Sequence, residues 1–187
     1  MAFRRGFKSE SNWYAREMRR ELGIPLVDPL CPWRLAEHLA FPVMALSDYA
    51  SVEPKMVAYF RTGAGQEAFS AITLFDGPRR WIVHNDFHDP KRQAADIAHE
   101  LAHGLLLHPP KPPINSDGSR HYDKSFEEEA NWLGPALLVS DEAALHIVET
   151  KMLIFEASNH YGASVPLVQM RLNVSGAAVR VARRSAA

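Results

Sequence analysis

The sequence predicts an α+β fold in which a small antiparallel or mixed sheet packs against two helices. Three short runs rich in β-branched and aromatic residues alternate with turns, at residues 41–46, 69–75 and 81–84. Two segments with the apolar spacing of helices follow, at about 89–108 and 126–137. Strands that precede a block of helices are typical of the α+β class.

The rest of the chain reads as helical segments on either side of this core. We expect a helix at about 9–22, a second at 33–39, a third at 142–155 and a shorter pair within 164–181. Asp76, Gly77 and Pro78 predict a hairpin turn between the last two strands. The length suits one domain over 1–187, and we divide it into N-terminal helices (1–40), a central core (41–155) and a short helical appendage (156–187).

Composition indicates an ordinary globular protein and excludes some classes of partner. The formal net charge of −1 gives no global field that would recruit nucleic acid or an acidic membrane. No run of eighteen apolar residues is present, so we expect no membrane span. The single cysteine, Cys31, and the lack of a signal-peptide core after Met1 predict a cytoplasmic location.

The most informative segment is the H-E-x-x-H motif formed by His99, Glu100 and His103. Asp89 is a good N-cap and Pro90 suits the first helical position, which predicts that the motif lies on a helix. Residues four apart share a helix face, so the two histidines can bind one metal ion. Glu100, one step round, can then act as a general base toward a metal-bound water.

A third ligand is expected from the second helix, because catalytic zinc sites usually have three protein ligands and an open position. Three consecutive glutamates, 127–129, begin this helix. Glu127 shares its face with the small residues Ala130 and Gly134, which would allow close approach to a neighbouring helix. We therefore predict Glu127 as the ligand, with Asn131 orienting a histidine from behind. The alternatives are Glu129 as the ligand, or a solvated acidic first turn favoured by the helix dipole.

Around these motifs the sequence resembles the ImmA/IrrE metallo-endopeptidases. The likeness covers most of the chain; its segments are residues 20–23, 29–39, 92–103, 127–139 and 161–173. It implies Zn²⁺ held by His99, His103 and Glu127, with Asn131 supporting a histidine. The chain departs from the family pattern at Gly134-Pro135, where alanines are usual, and at Ser140, where proline is common. Pro135 removes a helical hydrogen bond to Asn131 and is expected to kink the helix.

The resemblance also implies a regulatory protease, often one that cuts a helix-turn-helix repressor. We expect a protein substrate, and no direct contact with nucleic acid or membrane. In the expected mechanism Glu100 takes a proton from a zinc-activated water and passes it to the leaving amine. An edge strand at 81–84 could hold an extended substrate by β-addition.

For the remaining histidines a structural role is the default expectation, and the exception is His121. His84 and His88 repeat the four-residue spacing but fall on a strand end and a loop. His108 ends the motif helix, and its five-residue offset from His103 turns it off the ligand face. His121 and Tyr122, just before the second helix, are candidates for stabilising the oxyanion of the transition state.

Two other functions remain open at this point. The first is a zinc-stabilised, non-catalytic regulatory or interaction module, which has no need of Glu100 as a base. The second treats residues 161–172 as half of a DNA-binding helix-turn-helix, against which the near-zero net charge argues.

Overall fold

The computed structural model describes residues 3–77, 79–109 and 123–186, without the side chain of Ser185. These residues form ten α-helices and a three-stranded sheet, which confirms the predicted α+β class. None of the helices in these ranges is both long and apolar enough to cross a membrane.

The sheet is mixed, and its strand order is β1-β3-β2. Strand β1 (Val43–Ala45) runs parallel to β3 (Arg79–His84), and β2 (Ala71–Asp76) runs antiparallel to it. Strands β2 and β3 pair up to Asp76 and Arg79, with Gly77 at a φ of 57°, as expected for a hairpin; Pro78, the other predicted turn residue, lies outside the described residues. The prediction that residues 81–84 form an edge strand is wrong, because β3 lies between the other two. The edge next to the predicted site belongs to β2.

Two helices precede the sheet, and two more interrupt it. Helices α1 (Phe7–Glu21) and α2 (Pro32–His38) lie within one or two residues of the predicted bounds. Between β1 and β2 the chain forms a 3-10 turn, Leu46–Tyr49, then α3 (Pro54–Phe60) and α4 (Gly63–Ala68). Neither α3 nor α4 was predicted, since helices of one or two turns are marginal alone and depend on tertiary packing.

The two motif helices are α5 (Pro90–Leu105) and α6 (Lys124–Leu138). The Asp89 carboxylate accepts a hydrogen bond of 2.9 Å from the Lys91 backbone N–H, as expected for an N-cap. Helix α5 ends before the prolines that follow it, because the chain turns at Leu107 with a φ of 54°. Helix α6 is capped by Asp123 and continues through Pro135.

The C-terminal third is entirely helical. One helix was predicted over 142–155, and this is wrong: α7 (Asp141–Glu149) and α8 (Ile154–His160) are separated by a turn with Lys151 at a φ of 55°. The predicted shorter pair is confirmed as α9 (Val165–Ser175) and α10 (Ala177–Ser185).

Helices α5 and α6 are held between two apolar clusters. One cluster joins them to α1, α2 and β3, and its large members are Met18, Leu30, Leu35, Phe41, Ile82, Ile97, Leu101, Leu133 and Leu137. The other joins them to α7, α8 and α9 through Ala98, Leu138, Val139, Ile147, Tyr161 and Val168. Burial on both sides fixes the relative position of the two motif helices.

Two fully buried arginines hold the C-terminal end of α6. Arg19 of α1 donates to the Leu138 carbonyl at 3.2 Å, and Arg171 of α9 donates to the Val139 carbonyl at 2.9 Å. Arg171 also pairs with Asp141 at 2.8 Å. Burial lowers the pKa of Arg19 to about 10, which leaves it charged at neutral pH. The carbonyls that end a helix lack partners within it, so both cations satisfy groups that would otherwise be buried and unpaired.

Candidate active site

The two motif helices approach most closely at Gly134. A Cβ added there would lie 3.1 Å from both the backbone N and the Cα of His99. This is tighter than ordinary van der Waals contact, so the glycine allows α6 to pass against the turn of α5 that carries the first histidine. Glu127, two turns earlier on α6, is thereby brought beside the histidine pair.

His99, His103 and Glu127 form one compact group of potential ligand atoms. The Nε2 atoms of the two histidines are 3.0 Å apart. The Glu127 carboxylate lies 3.3 Å from His99 Nε2 and 3.6 Å from His103 Nε2. Tetrahedral ligands at zinc distances from one centre are roughly 3.3 Å apart. Two imidazoles and a carboxylate with this spacing therefore fit a zinc ion.

The protonation of the group suits metal binding. Burial and the neighbouring His99 lower the pKa of His103 to about 4, so its ring is neutral in neutral solution. The hydrogen bond from His99 lowers the pKa of Glu127 although burial opposes it, and the carboxylate stays ionised. For His99, burial lowers the pKa, but Glu127 and Glu100 together outweigh burial and leave it raised. Metal binding at His99 therefore competes with a proton.

Glu100 lies beside the ligand group and is held by the sheet. The Thr73 hydroxyl of β2 donates a 2.6 Å hydrogen bond to one carboxylate oxygen of Glu100. Burial raises the pKa of Glu100 against the opposing effects of His99 and Thr73. A carboxylate with a raised pKa accepts a proton more readily, which suits a general base. No local sequence pattern predicts the role of Thr73, because its contact with Glu100 depends on how the sheet packs against α5.

Behind the ligand group, a chain of hydrogen bonds runs from His103 to the N-terminal segment. His108 Nδ1 lies 2.8 Å from His103 Nδ1, and His108 Nε2 lies 3.2 Å from Glu129. Glu129 in turn accepts from Arg4 at 2.9 Å. The left-handed residue Leu107 turns the chain back, so His108 meets the side of the His103 ring that faces away from Glu127. The sequence predicts that His108 points away from the ligand face, but it does not predict this contact with His103.

The remaining predicted residues are placed differently. Asn131 is exposed at the rim, and within the described ranges it makes no hydrogen bond to either histidine. The Nδ1 atom of His103 lies instead 2.8 Å from Nδ1 of His108. Glu129 lies against His108 rather than in the ligand group. His121 and Tyr122 lie outside the described residues.

His84 and His88 are buried away from the ligand group. His88 Nε2 contacts the Gln66 carbonyl at 2.9 Å, and its Nδ1 lies 3.5 Å from Asp96. The ring of His84 packs edge-on against Trp33. Among the described residues, the group of potential metal ligands consists of His99, His103 and Glu127, and neither His84 nor His88 belongs to it.

A cleft of about 570 Å³ opens over the ligand group. Strand β2 forms one wall, where Ala71, Thr73 and Phe75 alternate with residues of the opposite sheet face. Helices α5 and α6 form the other walls and contribute His99, Glu100, His103 and Glu127. An edge strand, a candidate base and a candidate metal site thus share one open cavity.

Comparison with known proteins gave one match. The family model Peptidase_M78, described as the IrrE N-terminal-like domain, matches residues 37–173 and so includes β1 through most of α9. The match confirms the resemblance drawn from the sequence. Searches of curated proteins and of solved structures found no match.

Proposed function

The chain belongs to this ImmA/IrrE-type family of metallopeptidases, and we propose that it is a zinc-dependent endopeptidase that cuts a protein substrate. The observation that carries the proposal is the placement of Glu100 beside the group formed by His99, His103 and Glu127. Bound to those three side chains, Zn²⁺ would act as a Lewis acid and bring the pKa of a water molecule toward 7.

Glu100 performs the proton transfers in this proposal. It accepts a proton from the attacking water and delivers it to the amine that leaves when the peptide bond breaks. The hydrogen bond from Thr73 fixes one carboxylate oxygen and leaves the other for the water. His108 holds the His103 ring from behind, so that His103 keeps the orientation that binding requires.

The substrate backbone is proposed to add to the outer edge of β2, with which no other described strand pairs. An edge strand presents unpaired backbone N–H and C=O groups, and many proteases bind extended peptides through such groups. Strand β2 borders the cleft and carries Thr73, which contacts Glu100. A peptide paired with β2 therefore passes beside the base and the ligand group.

The biological substrate is proposed to be a regulatory protein, a helix-turn-helix repressor being the first candidate. This rests on the family resemblance alone. The free, exposed Cys31 is consistent with a reducing cytoplasm as the place of action.

The competing proposal, a zinc-stabilised module without catalysis, is less well supported by the site. A structural zinc site usually closes its fourth position with a protein ligand. In the described part of the chain, no fourth His, Cys, Asp or Glu joins the ligand group. The cleft above the group is open, as a site that admits substrate requires.

A comparison of wild type with Glu100→Gln distinguishes the two functions. Each protein is loaded with zinc and incubated with a proteome-derived peptide mixture, and new peptide termini are identified by mass spectrometry. We expect cleavage by wild type, and a loss of roughly 10²–10⁴-fold in Glu100→Gln with zinc content unchanged. Equal cleavage by both proteins, or no cleavage by a wild type that holds one zinc, contradicts the peptidase proposal.

A further inference from the structure

Among the described residues that line the cleft there is one arginine, and it forms no ion pair with a described carboxylate. Arg80 of β3 lines the cleft and stacks on the Phe41 ring, with its guanidinium carbon 3.8 Å from the ring centre. Its side chain makes no hydrogen bond or ion pair in the described ranges. A guanidinium stacked on a ring face keeps the N–H donors at its edge available for a carboxylate.

Arg80 faces the cleft because of its register in the sheet. It lies opposite Phe75 of β2, and the next pair on the same sheet face is Ile82 with Thr73. Two residues along a strand span about 7 Å. Because Thr73 contacts Glu100, the Arg80–Phe75 pair lies about one dipeptide repeat from the base.

The charge of the cleft is uneven along β2. Near the start of β2 the lining includes the carboxylates Glu67 and Asp96, and a further carboxylate, Asp123, lines the cleft at the start of α6. At the other end lie Phe75 and Arg80, and Arg80 is the only lysine or arginine among the described lining residues. The Phe41 ring that supports Arg80 is itself fixed, because it packs against Gly104 of α5 so closely that a Cβ there would overlap the ring.

From these contacts we infer that Arg80, Phe41 and Phe75 form a substrate subsite for an acidic side chain. A glutamate or aspartate in an extended substrate, about two residues from the scissile bond, pairs with the Arg80 guanidinium. The inference rests on the proposed function, because it names the substrate class of the same cleft.

The subsite is tested by peptide binding, with cleavage blocked by Glu100→Gln in zinc-loaded, full-length protein. The probes are two pools of fluorescein-labelled decapeptides, randomised over Ala, Val, Leu, Ser and Thr. One pool carries one Glu per peptide and the other one Lys, at random positions. Fluorescence anisotropy gives the Kd of each pool for this protein, and for versions that also carry Arg80→Ala, Arg80→Glu or Arg79→Glu.

We expect the Glu pool to bind roughly three- to tenfold more tightly than the Lys pool. Arg80→Ala should abolish this preference and Arg80→Glu should reverse it. Arg79→Glu is the matched control: it makes the same charge change one residue away, on an exposed side chain outside the cleft, and should keep the preference.

Equal binding of the two pools overturns the subsite, as does a preference that survives Arg80→Ala or a failure of both pools to bind. Failure of the proposed function gives a different result. A zinc-loaded wild type that prefers the Glu pool but leaves it uncut supports the subsite and contradicts hydrolysis.

Discussion

The two ends of α6 differ in what surrounds them. At the N-terminal end, Glu127 faces an open cleft and lies 3.3–3.6 Å from two histidine nitrogens. At the C-terminal end, the Leu138 and Val139 carbonyls are buried and bonded by Arg19 and Arg171. The N-terminal end offers a carboxylate to a ligand, whereas at the C-terminal end Arg19 is bonded to backbone carbonyls and Arg171 to Val139 and Asp141.

This difference shows how a chain of this size can position the Glu127 carboxylate for metal binding. A ligand group needs its members fixed to within a fraction of an ångström. Here that rigidity comes from the buried C-terminal end of the same helix, where Arg19 of α1 and Arg171 of α9 donate hydrogen bonds to its last carbonyls. We therefore expect substitutions at the buried end of α6 to alter folding stability, and substitutions at the open end to alter metal affinity.

The largest expected effect on stability is that of Arg171→Met. This change removes the closest cationic partner of Asp141, whose side chain is 13% exposed, and leaves the buried Val139 carbonyl without its donor, at a cost of about 3–5 kcal/mol in the free energy of unfolding. Denaturant titration measures the loss. Protein that remains folded should still bind one zinc.

Arg180→Gln is the control for this prediction, because Arg180 contacts the same Asp141 carboxylate at 3.4 Å but is 39% exposed. Its removal should cost less than about 1 kcal/mol, as exposed ion pairs usually do. Similar losses from Arg171→Met and Arg180→Gln would show that the buried clamp does not stabilise α6.

A smaller effect, at the open end, is expected from His108→Ala. His103 then loses the partner that fixes its ring, and zinc affinity should fall by roughly 10–100-fold. Competition with a chromogenic chelator measures the Kd for zinc. His38→Ala serves as the control, since His38 is an exposed histidine that pairs with Glu21 and is not part of the ligand group. Unchanged zinc affinity in His108→Ala would exclude a supporting role for His108.

The open end of α6 was largely predictable from the sequence. The four-residue spacing predicts that His99 and His103 share one helix face. The small residues near Glu127 on α6 favour Glu127 as the third member of the group. Gly134 explains why small neighbours favour Glu127. Only a residue without a Cβ allows α6 to come this close to the backbone of His99, and this approach brings Glu127 beside the two histidines.

Contacts made between distant segments could not be predicted. Thr73 reaches Glu100 across the packing of sheet on helix, and His108 returns to His103 because Leu107 adopts a left-handed conformation. Strand order was also beyond local patterns: β3 looked like an edge strand, but it pairs with β1 on its other side. The split between α7 and α8 depends on the single turn at Lys151.

The most direct test of the site is the zinc content of wild type, Glu127→Gln and Glu128→Gln, measured by elemental analysis after loading and gel filtration. Glu128 is the matched control, since it is the next residue on α6 and pairs with Lys124 instead of the histidines. The account predicts about one zinc per chain in wild type and Glu128→Gln, and clear loss in Glu127→Gln. Full zinc in Glu127→Gln, or none in wild type, would contradict the assignment of His99, His103 and Glu127 as the metal site.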